Sequence, residues 1–329
     1  MKALRPGSVL RPVALTVDRS VASVGLRFEE PGVLTVLFHS IFAGRDEVER
    51  DLVHPQEALT LDALRHCIEE LLAAGYGFVS VEQLVGDLGP DGSHACLTFD
   101  DGYANNLRAV PVLEEYGVPA AIFVSTDHVL SGRRFWWDTV YVERRRRGAP
   151  PAVIEREIAA LKGRSPGSID ADLVREFGEA ATTPTSDLDR PLTPVQLREL
   201  AAHPLVTIGN HTVDHPLLTT VAPAERDRQI AGAQDALESL TGTRPLAVAY
   251  PNGDVDDSVI EAARAAGLAI GFTTTPRRER VPLGSSRRLR LGRYQLFSRS
   301  DVDAQLRSAR SRFQLLNSAR RVRGWIRSR

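Results

Sequence analysis

Two adjacent carboxylates, Asp100 and Asp101, close the apolar run Leu97-Thr98-Phe99 and are followed by Gly102. Successive side chains on a strand point to opposite faces, so a packed strand tip has no use for two charges unless the chain turns and both reach one site. Such a pair can divide labour, one carboxylate binding a metal and the other handling a proton. The same residues also spell an ordinary Asp-Asp-Gly turn, and taken alone both readings stand. A second group is Gly209-Asn210-His211-Thr212-Val213-Asp214-His215-Pro216. Two His four apart can chelate one ion if their loop takes a helical turn. Asp101, His211 and His215 would form a three-ligand set with open positions, the pattern of a catalytic metal, leaving Asp100 to take a proton from metal-activated water. A third is Ala249-Tyr250-Pro251-Asn252-Gly253. It reads as a strand end and a tight turn, which can offer a backbone N–H to an oxyanion or simply connect a strand to a helix.

The elements that must position these residues alternate. Apolar runs at 33–39, 95–99, 119–125, 206–210, 246–250 and 268–273 predict strands, with a last one near 289–296. Helical spacing predicts helices over 59–75, from Ser80 through 88, and over 105–116, 193–202, 223–241 and 255–266. Pro111 predicts a kink or a late start in the third of these. The rhythm breaks at 131–192, where Phe135-Trp136-Trp137-Asp138, the run Arg144–Arg147 and two charged helices read as an insertion. Strand, helix, parallel strand is the signature of a βα repeat, and a closed barrel is the expected form. Active sites of such folds gather at the strand C-terminal ends, where His39, Asp100, Asp101, His211 and Tyr250 all fall.

Composition narrows the classes. The chain has 329 residues, is 43% apolar and carries a net charge of −1, so nothing global favours nucleic acid as a partner. Lys2 and Lys162 are the only lysines against a large arginine content, which reads as a composition bias. Cys67 and Cys96, both in apolar contexts, suit a reducing compartment. Residues 1–30 show neither periodicity nor a signal-like apolar core, and no run approaches the length needed to span a bilayer, so the expected location is the cytoplasm. The stretch 307–329 has eight Arg, no acid and interspersed apolar residues including Trp325. It reads as a basic helix that either lies on an anionic inner membrane face or is simply solvated.

The three motifs, in this order and spacing, resemble those of the polysaccharide deacetylases, the NodB-homology domains of carbohydrate esterase family four. Thr98–Gly102 resembles the first motif and His211–His215 the second, while Val248–Gly253 is similar to the Phe-Ala-Tyr-Pro-x-Gly variant of the third. The resemblance covers roughly residues 31–300. It implies an α/β fold, a distorted (β/α)₇ barrel of the NodB-homology type, here with a helical insertion at 131–192 and a C-terminal helical tail from 301. It also implies a divalent metal, most often Zn²⁺, held by Asp101, His211 and His215, with Asp100 as general base. The backbone N–H of Asn252 or a neighbour would receive the oxyanion, and Tyr250 in the same motif is expected among the oxyanion or substrate-binding residues. The substrate class would be an N-acetylated amino-sugar polysaccharide or glycoconjugate of the cell envelope.

Two departures stand out. Ala249 occupies the place of the Arg that steadies the catalytic Asp in the common third motif, and Arg290 or Arg293 from the last strand is the expected replacement. No His follows His215, so the late His that serves as general acid is absent. His39 is the expected substitute, against the alternative of a structural His. Trp136, Trp137 and Asp138 are the expected sugar-binding residues, unless the tryptophans instead anchor the insertion. Competing functions are an O-acetyl esterase or small-amide hydrolase on the same metal site, and a catalytically silent glycan-binding barrel.

Overall fold

The computed structural model describes residues 30–86, 88–89, 91–298 and 300–311. Its centre is a parallel sheet of β1 (Gly32–Phe38), β2 (Tyr76–Phe78), β3 (Ser93–Phe99), β4 (Ala120–Val124), β5 (Val206–Asn210), β6 (Ala247–Ala249), β7 (Ile270–Phe272) and β8 (Tyr294–Gln295). The order is β7-β6-β5-β4-β3-β1-β8, with β2 lying off this path and paired to the first half of β3. The strands read as nearly unbroken apolar runs because both faces are covered. Leu34, Val36, Phe38, Leu97, Phe99, Ile122 and Val124 face the helices. The alternate residues Val33, Cys96, Ala121, Phe123, Ala249 and Phe272 meet on the other face, inside the curl.

Residues 288–295 join the two ends of the curl. Leu291 exchanges backbone hydrogen bonds with Gly271 and Thr273 beside β7, and four residues on Gln295 pairs with Leu37 of β1. This segment was expected as a strand over 289–296 and forms only two strand residues, because its work is split between two neighbours. β2 was not anticipated, since three residues are too few to show a period.

The outer helices are α1 (Arg45–Glu49), α2 (Leu61–Ala73), α3 (Val81–Val85), α4 (Val110–Tyr116), α5 (Thr126–Ser131), α6 (Trp136–Arg146), α7 (Pro151–Leu161), α8 (Pro166–Phe177), α9 (Pro194–Ala201), α10 (Pro223–Thr241), α11 (Asp257–Ala265) and α12 (Val302–Arg310). Thr60, Ser80, Thr193 and Asp256 cap α2, α3, α9 and α11 with their side chains. Pro111 delays α4 behind a 3₁₀ turn at Ala104–Ala109. Helix α3 stops at Gly86, short of the predicted 88.

In the insertion, the aromatic cluster and the arginine run form one helix, α6. Its arginines clasp the other two helices and a loop: Arg144 pairs with Glu157 (2.8 Å) and with Glu176, Arg147 with Glu176 (2.9 Å), and Arg145 with Asp51 (2.5 Å). The described part of the tail is α12, and the tail from 312, like residues 1–29, lies outside the described residues. Among the described residues no helix is long and apolar enough to cross a membrane.

One packing constraint bears on the site directly. Gly209 sits opposite Phe123 in the β4–β5 register, and a Cβ there would fall 2.3 Å from the ring. Gly209→Ala is expected to cost about 1–3 kcal/mol through overpacking, read as a lower urea midpoint at unchanged slope. An unchanged midpoint would contradict this packing.

Candidate active site

The three motifs meet at the C-terminal ends of the strands. Asp100 N–H still bonds to Phe38 of β1 (2.9 Å), and the chain then leaves the sheet with Asp101 at φ +73° and Gly102 at φ +81°. Seven non-glycine residues among those described have positive φ. Four of them, Asp101, Thr212, His215 and Asn252, belong to the three motifs, and Gln56 and Ala58 flank Glu57. Left-handed backbone on such residues is costly and collects where function over-determines it.

His211 Nε2 lies 3.3 Å and His215 Nε2 3.6 Å from the same oxygen, Asp101 Oδ1. The loop carrying the two imidazoles is not the helical turn expected. Thr212 and His215 take left-handed conformations, and Thr212 Oγ1 accepts from His215 N–H (3.0 Å). Gln229 Oε1 accepts from the N–H groups of Val213 and Asp214 and fixes the loop from α10.

His211 Nδ1 donates to the Ala249 carbonyl (2.7 Å), which leaves Nε2 with a bare lone pair. Asp101 Oδ1 is buried and has no hydrogen-bond partner. Lone pairs therefore face one another across a gap suited to a cation. Burial, and then the neighbouring His211, pushes the His215 pKa down to about 3, so this ring is neutral and ready to ligate. Burial would raise the Asp101 carboxyl, and the charged His39 imidazolium is the neighbour that opposes it and favours the ionised form. Two imidazoles and one carboxylate within 4.8 Å of one another fit a metal of the zinc type.

Asp100 faces a different partner. Arg293 Nη1 donates to its Oδ1 (2.7 Å) and Nη2 to its Oδ2 (2.6 Å), a two-pronged ion pair. Arg293 also donates to Thr98 Oγ1 (3.2 Å) and the Thr273 carbonyl (3.1 Å). It is fully buried, with its guanidinium 5.8 Å from the rings of Phe123 and Phe272. Burial would raise the Asp100 carboxyl, and the guanidinium overrides that and holds it below its ordinary value. Of the two arginines expected from the last strand, Arg290 instead pairs with Asp257 at the surface.

His39 follows β1 on the same rim, its Nδ1 3.0 Å from Glu57 Oε1. Asn106 Nδ2 holds the His39 carbonyl (2.7 Å), and Gln295 donates to Glu57 from β8. Burial would lower the His39 pKa, but Glu57, with Asp101 and Asp100 beyond it, raises it to about 9. Glu57 was not anticipated. The only trace in the sequence is the polar group His54-Pro55-Gln56-Glu57 ahead of α2.

Other expected residues are placed differently. Tyr250 is fully buried, donates to the Leu289 carbonyl (3.0 Å) and packs with Val248 and Leu268, so its ring is core and not a substrate contact. Asn252 is exposed in the turn that follows. Trp136 and Asp138 are also buried, at 4% and 2% exposure, and present no face to a sugar. The anchoring reading fits these two: Trp136 packs with Ile154 and Ile158 of α7, and Asp138 accepts from Tyr103 Oη (2.7 Å). Trp137 donates to that same Tyr103 oxygen (2.8 Å), and its ring stands 4.9 Å from the His215 ring, as a wall of the metal-ligand cluster. Burial raises the Asp138 pKa to about 7 against the opposing effects of His54 and the Tyr103 hydrogen bond.

A curled parallel sheet whose strand ends bring together an Asp-His-His ligand set and an arginine-held Asp defines a hydrolase of the NodB-type barrel class. The family model described as polysaccharide deacetylase matches residues 88–271, and the chain belongs to that family of hydrolases, which act on N-acetyl amide bonds of sugars. It is similar to the protein named "Putative polysaccharide deacetylase YxkH" of Bacillus subtilis (strain 168), at 23% identity over 260 residues, 77% of this chain and 69% of the relative. Among solved structures, the fold resembles the Streptococcus pyogenes deacetylase PplD, with a TM-score of 0.56 and 19% identity over 84% of this chain and 97% of that one. It also resembles IcaB from Ammonifex degensii, with a TM-score of 0.57 and 17% identity over 86% and 98%.

Proposed function

We propose that this chain is a metal-dependent N-deacetylase of an amino-sugar polysaccharide or glycoconjugate, releasing acetate and a free amine. The observation that carries the reading is the partnerless, buried Asp101 Oδ1 between two imidazole Nε2 atoms, beside an Asp100 held by Arg293. Asp101, His211 and His215 would hold the metal, zinc by the chemistry of the donors, which would act as a Lewis acid on the acetyl carbonyl. Asp100, kept ionised and oriented by Arg293, takes the proton of the attacking water. The Asn252 N–H, the first amide after Pro251, is the donor for the developing oxyanion. His39, protonated at neutral pH through Glu57, returns a proton to the leaving amine.

Zinc-loaded protein is expected to release acetate from members of a panel of N-acetylated glycans and to hold one zinc per chain by elemental analysis. Protein without stoichiometric metal, or acetate release from O-acetylated glycans alone, would contradict the reading. The proposal extends to a cytoplasmic location and to contact of 307–329 with an anionic membrane face. It rests there on two buried free cysteines and the basic tail. Full-length protein should then co-sediment with anionic vesicles.

The His39 role has a pH signature. A His whose folded pKa is raised from 6.5 to about 9 is charged throughout the neutral range, so turnover that needs its proton falls on an alkaline limb near pH 9. The same shift stabilises the metal-free fold fully below pH 6.5, and that contribution fades as pH rises through about 9. Glu57→Gln is expected to move the limb of kcat downward by at least about one pH unit, since a unit is only 1.36 kcal/mol of charge interaction. A limb that stays in place would remove His39 from the proton path.

A further inference from the structure

We propose that Lys162 is a positioning residue that fixes the Asn252 turn for the oxyanion side of the site. This rests on the deacetylase reading above. Lys162 caps the C-terminus of α7, inside the insertion, and its Nζ donates to Asn252 Oδ1 (2.7 Å) across 90 residues of sequence. Asn252 stands at φ +55°, ψ 9°, a left-handed conformation that Asn tolerates better than most residues. The turn is held from the other side by Thr274, whose Oγ1 donates to the Asn252 carbonyl (3.0 Å). Thr274 also fills the space where a Cβ on Gly253 would stand, 2.3–2.4 Å away. Thr274 thus ties the peptide after Asn252 and Lys162 its side chain, while the peptide that carries the Asn252 N–H is tied through the Pro251 carbonyl, which accepts from Asp254 N–H (3.1 Å).

Burial disfavours the Lys162 ammonium, the carboxylates of Asp101, Glu155 and Glu57 favour it, and the ammonium in turn acts on His215. Helix α7 is itself fixed: Ile154 and Ile158 pack into the Trp136 cluster, and Glu155 pairs with His54 (2.9 Å). Lys162 is one of two lysines in a chain rich in arginine, and its compact ammonium on a flexible stem suits a single amide oxygen. The insertion thus contributes one bond to the geometry of the reaction, in addition to walling the site with Trp137.

The test compares Lys162→Met, Lys162→Arg, Asn252→Gly and the double variant Lys162→Met/Asn252→Gly. Acetate release is measured at steady state, and amide hydrogen exchange is followed over 247–256. Lys162→Met is expected to lower kcat about tenfold with KM within about twofold, the mark of an interaction that counts in the transition state. Asn252→Gly should cost a similar factor, the double variant no more than the larger single loss, and Lys162→Arg should recover at least about a third of wild-type turnover. Exchange of the 252–254 amides should quicken in Lys162→Met. A raised KM with kcat intact would make Lys162 a substrate contact and overturn the proposal, as would additive losses or unchanged exchange. Failure of the wild type to release acetate from any glycan would instead overturn the deacetylase reading, while the exchange data would still decide whether Lys162 holds the turn.

Discussion

Asp100→Asn is expected to abolish acetate release, by at least about a thousandfold, while zinc content stays at the wild-type level; a positioned general base contributes about 10²–10⁴. The amide has the shape of the carboxylate but cannot accept the water's proton. The side chains of Asp101, His211 and His215 are unchanged in this variant, and Asp100 Oδ2 stands 4.0 Å from His211 Nε2. Elemental analysis and turnover on one preparation separate the two properties. Unchanged turnover would remove Asp100 from the proton path, and loss of zinc would make it a ligand. A catalytically silent glycan-binding barrel is tested by the same variant, since binding alone needs no base beside the metal.

Arg293→Met is expected to destabilise the fold by about 3–5 kcal/mol, because it strands the buried Asp100 carboxylate. The bidentate pair stays largely out of water on both sides, so no solvent replaces the lost guanidinium. With the guanidinium gone, burial loses its main opponent at Asp100, the carboxyl pKa rises, and turnover at neutral pH falls as well. In the wild type the depressed carboxyl contributes stability at neutral pH that is lost as pH drops through its folded value. Adding Asp100→Asn to Arg293→Met removes the stranded charge and should recover more than half of the lost stability by urea denaturation, since charge partners couple strongly. A cost of less than about 1 kcal/mol for Arg293→Met alone would mean that the pair is solvated.

Most of the barrel could be read from the chain because its strands are apolar runs and its helices carry periodic faces and caps; 206–210 and 223–241 agree to the residue. The meeting of Asp101, His211 and His215 was legible for a related reason: charged residues at the ends of apolar strands have nowhere else to go. Glu57 was not, because it sits in an aperiodic loop and meets His39 only through tertiary packing. The burial of Tyr250 and Asp138, and the choice between the two readings of Trp136, could not be read from the chain. Residue type suggests a ligand contact, whereas burial is decided by which neighbouring helix covers the face. Arg293 could be named only as one of two, because a two-residue strand carries no pattern that tells inside from outside.

The run 288–295 carries Arg293 and also joins the two ends of the curl, and this has a consequence for synthesis. The ribosome releases Asp100 193 residues before its partner. Until the last leg of the chain emerges, the carboxylate has no countercharge and the sheet has an open side. Closing the ring and giving Asp100 its countercharge are therefore one event. A nascent chain is kept from sealing its catalytic centre early, and chains that end before Gly292 should be left both unclosed and unarmed.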